Sequence, residues 1–343
     1  MSSKIRLGKT KDSRTRKQKV KAVDILAAQA LKIELSAQKN FVDYLLLKGY
    51  STSTTKRYVT DSENFLKWIE NENIEITQVN YSDILHYIQG KRRKIQQRTI
   101  SLNIISLKHY FNFLAITNQN LTNPTLQIKI KGIRRRKLYQ ILSKQELERL
   151  YDDFETLDYE DINDKNKNQN WFINSVLANK RDKIILGLII YQGLGTTELS
   201  RLKVNDVKLR DGKIFISGTR RSNERELKLE AHQIMDMMEY KLKIRDKILK
   251  IKKHNSDNLL ISTGSSNRLS NSIQSLMKKL REYNSKITSL KQIRTSVITH
   301  WLKIHNLRQV QYMAGHRYVS STEAYLINDL EDLSEEVNKY HPI

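Results

Sequence analysis

The sequence predicts a mainly α protein of two domains that carries one small β-sheet. Three observations predict it. Apolar residues recur at helical spacing in both halves of the chain, from Ile33–Leu47 near one end to Leu307–Ala314 near the other. Strand-like alternation is confined to Lys213–Ser217 and Arg225–Leu229, around a turn through Gly218–Asn223. Between the two helical halves, residues 124–140 are basic and show no continuous apolar stripe, which reads as a linker. The division expected is a basic arm over 1–21, a helical domain over 22–123, the linker over 124–140, a second domain over 141–325 and a closing helix over 326–343. A chain of 343 residues is long enough to bury two cores.

Composition narrows the function. A hydrophobic share of 38% with 29% charged residues describes a soluble globular protein. The net charge of +24 exceeds what solubility requires, and a field of that sign attracts a polyanion, duplex DNA or RNA being the commonest. No apolar run approaches the length of a membrane-spanning helix, and the N-terminus lacks the apolar region of a signal peptide. A cytoplasmic, nucleoid-associated location is expected. There are no cysteines, and the eight histidines are scattered without an HExxH pattern, so neither a disulfide framework nor a thiolate or histidine-cluster metal site is expected.

The elements follow in order. Residues 1–21 carry nine Lys/Arg against one Asp, an arm that either stays solvated or orders on phosphates. Ile33–Leu47 places Ile33, Leu35, Phe41, Val42, Leu45 and Leu46 near helical spacing, and Gly49 stops it. Ser51 or Ser53 can cap a second helix whose Tyr58, Phe65, Leu66 and Ile69 face inward. A third helix covers Tyr81–Gln89 and a fourth Thr99–Thr117, where Tyr110, Phe111 and Phe113 read as core. Lys91, Arg92, Arg93, Lys94 and Arg98 precede the fourth helix. Cations at a helix start oppose its dipole, so they are expected to meet phosphates instead of stabilising the helix. In the linker, Arg134, Arg135 and Arg136 are expected to track a nucleic-acid backbone.

Ser143 and Glu146 form a capping box at the entry to the second domain. Helices are expected over Asn179–Gln192, Thr197–Leu202, His232–Leu249, Ser270–Tyr283, Thr295–Ile304 and Leu307–Ala314. The hairpin between them carries Arg220, Arg221 and Arg225, a shape suited to touching phosphates.

If the partner is duplex DNA, the protein either only binds it or also breaks its backbone. Phosphodiester cleavage without a metal needs a nucleophile, positive donors around the non-bridging oxygens, and an acid for the leaving oxygen. Tyr325 can supply the nucleophile, and Arg294 and His316 the donors.

These residues stand in blocks that resemble the tyrosine recombinases, or phage-type integrases, from about Leu35 to the C-terminus. Phe41–Leu45 and Ser51–Tyr58 resemble the family's core-binding domain. Gly193-Leu194, Glu198-Leu199, Leu202-Lys203 and Asp206 match the box that carries the first catalytic arginine. Ile293-Arg294 with Thr299-His300 matches the second-arginine motif, and Gly315-His316 with Tyr325 nine residues later matches the nucleophile block. Ala314 stands for the block's usual leucine, and the sequence departs from the pattern at three catalytic positions. Gly195 stands in the first arginine's place, Lys291 in that of the first histidine, and Thr219 in that of the hairpin lysine.

The resemblance implies a helical core-binding domain followed by an α/β catalytic domain. It implies that Tyr325 attacks a DNA phosphate to form a 3′-phosphotyrosine, with Arg294, His316 and Lys291 at the phosphate and no metal or nucleotide. Arg201 or Arg220 would replace the missing arginine, and Arg220 would serve the leaving oxygen. Integration or excision of a mobile element by a homotetramer assembled on double-stranded DNA is the activity implied. Residues 326–343 would pack on a neighbouring protomer, or on their own. The alternative is a recombinase fold that binds DNA without cutting it.

Overall fold

The computed structural model describes residues 40–117, 122–132, 139–157, 169–219, 222–253 and 255–326. The basic arm, Arg134–Arg136, Arg220, Arg221 and nearly all of the closing segment lie outside them. The fold is mainly helical with one three-stranded antiparallel sheet, as expected. The backbone separates into two compact units, residues 1–137 and 138–343.

The first unit holds α1 (40–47), α2 (Thr52–Asn71), α3 (Tyr81–Arg92) and α4 (Gln97–Thr117). Ser51 caps α2 by accepting from the Thr54 N–H, and Asn80 with Asp83 forms a reciprocal box at α3. Phe65, Ile84, Ile100, Leu107 and Phe111 make one core, while Phe41, Leu45, Tyr110 and Phe113 make a second. The aromatics of α4 are core, as their spacing predicts. Asp61 ties α2 to α4, accepting from Asn103 Nδ2 and Ser106 Oγ at 2.6 Å each. Ile128 and Ile130 of the predicted linker pack against the first core, so part of that stretch belongs to the domain.

One expectation is corrected here. Lys91 and Arg92 lie in the last turn of α3 and Arg93 is its C-cap. Cations favour that end of a helix dipole, so these three stabilise α3 locally, and only Arg98 sits in the first turn of α4. Arg92, Arg93, Lys94 and Arg98 are all exposed.

The second unit is built around α6 (Asn170–Ile190), preceded by α5 (Lys144–Asp152) with its Ser143–Glu146 capping box. Ile184–Ile190 is a continuous apolar run, buried on every side, as a helix without a polar face must be. The helix begins nine residues earlier than predicted. The buried Arg181–Asp182 pair, at 2.6 Å, interrupts the apolar pattern without interrupting the helix. After α7 (Thr196–Arg201) come β1 (Val207–Lys208), β2 (Lys213–Ile216) and β3 (Arg225–Lys228), paired in the order β1-β2-β3. Ile214 opposes Leu227 and Ile216 opposes Arg225. The long helix expected after the sheet consists of α8 (Ala231–Glu239) and α9 (Arg245–Lys252) with a π-helical turn, Tyr240–Ile244, between them. Then follow α10 (Leu269–Tyr283), α11 (Leu290–Ile304), α12 (Leu307–Ala314) and α13 (319–326).

Candidate active site

The site forms where the start of α7, the start of β3, the second turn of α11 and the end of α12 converge. Each contributor is held by local chemistry. Ser289 caps α11 by accepting from the Gln292 N–H, and buried Gln292 bonds the carbonyls of Gln140 and Lys286 at 3.0 Å each. The helix therefore starts five residues before its predicted start at Thr295, and Arg294 is fixed in a turn whose base is locked. Asn306 caps α12, and Gly315 ends it in the left-handed conformation, φ +69°, its N–H meeting the Gln311 and Tyr312 carbonyls. The chain then turns into α13, which presents Tyr325.

Glu198 is the hub. Its carboxylate is buried and accepts from Arg225 Nη1 at 2.7 Å, Arg294 Nη1 at 3.0 Å and the Gly195 N–H at 2.9 Å. Burial alone pushes this carboxyl's pKa up. The two guanidiniums and the N–H outweigh that and hold it below the ordinary glutamate range. Arg294 also bonds the Gly193 carbonyl, and its Nη2 bonds the Ala314 carbonyl at 2.7 Å. Arg225 Nε bonds the adjacent carbonyl, Met313, at 2.7 Å. Two arginines from distant elements thus lie side by side on the C-terminal end of α12, where unpaired carbonyls and the helix dipole favour cations.

His316 follows the helix end. Its Nδ1 is 2.9 Å from the hydroxyl of buried Thr322, which fixes the ring and leaves Nε2 for a ligand. The imidazole stacks on the Tyr325 ring, centroids 5.5 Å apart and planes 17° apart, and Tyr325 packs beside Ile298, Val310 and Ala314. Burial, then Arg294, then Arg225 lower the His316 pKa to about 4, so the ring is neutral near pH 7. A native pKa below the unfolded value means that the unfolded chain binds the extra proton between those two values. The stability this residue contributes is full above about pH 6.5 and is lost as pH falls toward 4. Allowing for its partial exposure, the loss is roughly 2 kcal/mol. Urea titrations of the parent and of His316→Asn should therefore diverge above pH 6 and converge near pH 4.

The predicted residues separate into groups. Arg294, His316 and Tyr325 come together. Lys291 is exposed one turn before Arg294, and both line a cleft of about 670 Å³ with Gly195, Thr196 and Thr197. Arg201 is exposed at the end of α7 and joins none of the hydrogen bonds around Glu198. Arg220 and Arg221 lie outside the described residues. The residues that the sequence reading passed over are Glu198 as a charge hub and Arg225 as a buried partner. A signal for Arg225 was present: in Arg225–Leu229 the apolar phase of the strand runs 225, 227, 229, so the arginine occupies an inward position. Gly315 is part of the same packing. A Cβ there would overlap Arg225 Nη1 and stand 2.7 Å from its Cζ. Gly315→Ala should cost roughly 2 kcal/mol or more in a denaturant titration, from backbone strain and displacement of Arg225.

Comparison with known proteins agrees with this geometry. The phage integrase family model matches residues 140–331, and the model of the phage integrase N-terminal SAM-like domain matches residues 21–117. The chain belongs to the phage integrase family. Among its relatives in this family is the tyrosine recombinase XerC of Oceanobacillus iheyensis, 24% identical over 308 residues, covering 88% of this chain and 94% of the relative. The fold is similar to that of the XerH site-specific recombinase in its post-cleavage complex with a palindromic difH substrate. The TM-score is 0.62 at 18% identity, covering 84% of this chain and 80% of the other. It is also similar to a lambda integrase tetramer bound to a Holliday junction, with a TM-score of 0.55 at 14% identity over 84% and 76% of the two chains. Among the described residues of this integrase-family chain, no group of three or more metal-ligating side chains occurs and no helix is long and apolar enough to cross a membrane.

Proposed function

We propose that this protein is a site-specific DNA recombinase that cuts and rejoins DNA through a covalent tyrosine intermediate. The observation that carries the proposal is the stacked Tyr325–His316 pair beside the Arg294–Glu198 cluster. In the cleavage step the Tyr325 hydroxyl oxygen forms a bond to the scissile phosphorus as the bond from phosphorus to the 5′ oxygen breaks. The tyrosine proton goes to solvent or to a neighbouring base, and the departing 5′ oxygen takes up one proton. The product is a 3′-phosphotyrosine and a free 5′-hydroxyl, and the reverse step with a new 5′-hydroxyl rejoins the strand. Arg294 and Lys291 would offset charge on the non-bridging oxygens, and neutral His316 would donate a hydrogen bond from Nε2. The basic residues Lys91, Arg92, Arg93, Lys94, Arg98, Arg134, Arg135, Arg136 and Arg221 would bind the DNA backbone.

The finer reading is integration or excision of a mobile element by a homotetramer assembled on double-stranded DNA. The net charge of +24 and the likeness to the integrase tetramer support it. A second reading, DNA binding without cleavage, is favoured by one observation, the glycine at position 195 where family members carry an arginine.

The experiment that separates them uses a library of duplexes with randomised arms, each with a nick just 3′ of the scissile position. Cleavage there releases a short fragment that diffuses away and leaves the protein trapped. The expected result is an adduct that survives SDS, with the 3′-phosphate mapped to the Tyr325 peptide by mass spectrometry. Enrichment of bound duplexes with no covalent adduct would favour the binding-only reading.

A further inference from the structure

We infer that Arg225 takes the place of the arginine missing at position 195, supplying the second positive charge of the phosphate-binding cluster. The inference rests on the cleavage reading above.

Four observations lead to it. Glu198 carries one negative charge and Arg294 one positive, so the pair alone is neutral and Arg294 would have little charge left for a phosphate. Arg225, on the other carboxylate oxygen, returns the cluster to a net +1. Its side chain is fully buried, where a charge acts through a low dielectric and over a longer reach than it would in water. Nε and Nη1 are committed to Met313 and Glu198, but Nη2 is buried and meets no acceptor among the described residues. A buried guanidinium nitrogen without a partner is costly, and because Nη2 is closed to solvent here a phosphate oxygen would complete it only after a small shift of the side chain.

The third observation concerns Gly195. Its backbone, φ −92° and ψ 164°, suits any residue, and a Cβ there would stand 3.5 Å from Glu198 Oε2 and 3.8 Å from Arg294 Nη1. A side chain at 195 would therefore point into this same cluster, so one location is served from two possible positions. The fourth is how Arg225 is placed. Asn223 N–H bonds the Gly315 carbonyl at 3.0 Å and Ser222 bridges to His316, which fixes the start of β3 against the nucleophile block. Gly315 has no Cβ where the guanidinium passes.

The test uses the full-length protein and nicked duplexes recovered from the randomised library. Arg225→Ala is expected to slow adduct formation about a hundredfold, and Arg225→Lys to slow it less. Two further measurements separate charge at the phosphate from a structural role. Adding Gly195→Arg to Arg225→Ala should restore at least tenfold of the loss. A methylphosphonate at the scissile position, which removes one negative oxygen, should bring Arg225→Ala to within a few-fold of the parent. The methylphosphonate changes only the DNA, so it cannot repair a defect of folding, whereas Gly195→Arg can also restore a partner to Glu198 and is read together with a denaturant titration of each variant. If Arg225→Ala does not fold, Arg225→Lys with and without the methylphosphonate is read in the same way. A folded Arg225→Ala protein that reacts at the parent rate overturns the inference, as does a loss that neither manipulation restores. In both cases cleavage by Tyr325 still stands. A parent protein that forms no adduct overturns the cleavage reading, and the role of Arg225 with it.

Discussion

Tyr325→Phe should abolish the covalent adduct with nicked duplexes while leaving fold and DNA affinity in place. The substitution removes one oxygen and keeps the ring. That ring is half-buried against Ile298, Val310 and Ala314 and stacked on His316, so nearly all of its packing survives. The change in unfolding free energy should stay within about 0.5 kcal/mol. Loss of the adduct then reports chemistry and not unfolding. Filter binding or fluorescence anisotropy on the same duplex should give a dissociation constant within a few-fold of the parent. Persistence of the adduct at parental yield would mean that another nucleophile attacks, and exposed Tyr318 would be the first to examine.

How much of this was legible in the sequence depended on which physical signal each residue carried. Leu307–Ala314 was legible to the residue because Asn306 and Gly315 mark its ends with side-chain and backbone chemistry. The Ser143–Glu146 box was legible for the same reason. The start of α11 was not. Its first turn is fixed by Gln292, a polar side chain whose partners, the Gln140 and Lys286 carbonyls, arrive from other segments. In α6 the expected start at Asn179 misses the first nine residues, and the burial of Arg181 and Asp182 as a pair at 2.6 Å inside the predicted helix is invisible to periodicity.

The candidate site divides in the same way. Arg294, His316 and Tyr325 could be singled out because resemblance marks positions. The pairing of Glu198 with Arg225 could not, because it is a contact between residues 27 apart, on α7 and β3. The charge of Arg225 suggested a phosphate contact from the hairpin, while its strand phase pointed inward, and burial followed the phase. Lys91 and Arg92 show the converse. Their charge suggested phosphate contacts at the start of α4, yet α3 extends far enough to take both into its last turn. Both also remain candidates for the DNA backbone, since stabilising a helix end leaves a cation's outward face available.

Glu198→Ala should cost about 3–5 kcal/mol of unfolding free energy, more than any other single change in the site. The carboxylate is 7% exposed and joins two guanidiniums, so its removal leaves two like charges facing each other in the interior. It also strips the Gly195 N–H of its acceptor at the start of α7. Glu198→Gln keeps the shape and one acceptor oxygen but not the charge, and should fall between the parent and the alanine variant. Pairing Glu198→Ala with Arg225→Met removes one of the stranded charges, so the double variant should lose less than the sum of the two single losses. Chemical denaturation of the four proteins measures that coupling directly, and a Glu198→Ala loss under 1 kcal/mol would contradict the hub. Rate and stability should then fall together in the Glu198 variants but separate in Tyr325→Phe. Glu198 places the cations that a phosphate would meet, whereas the tyrosine oxygen would supply only the bond that forms.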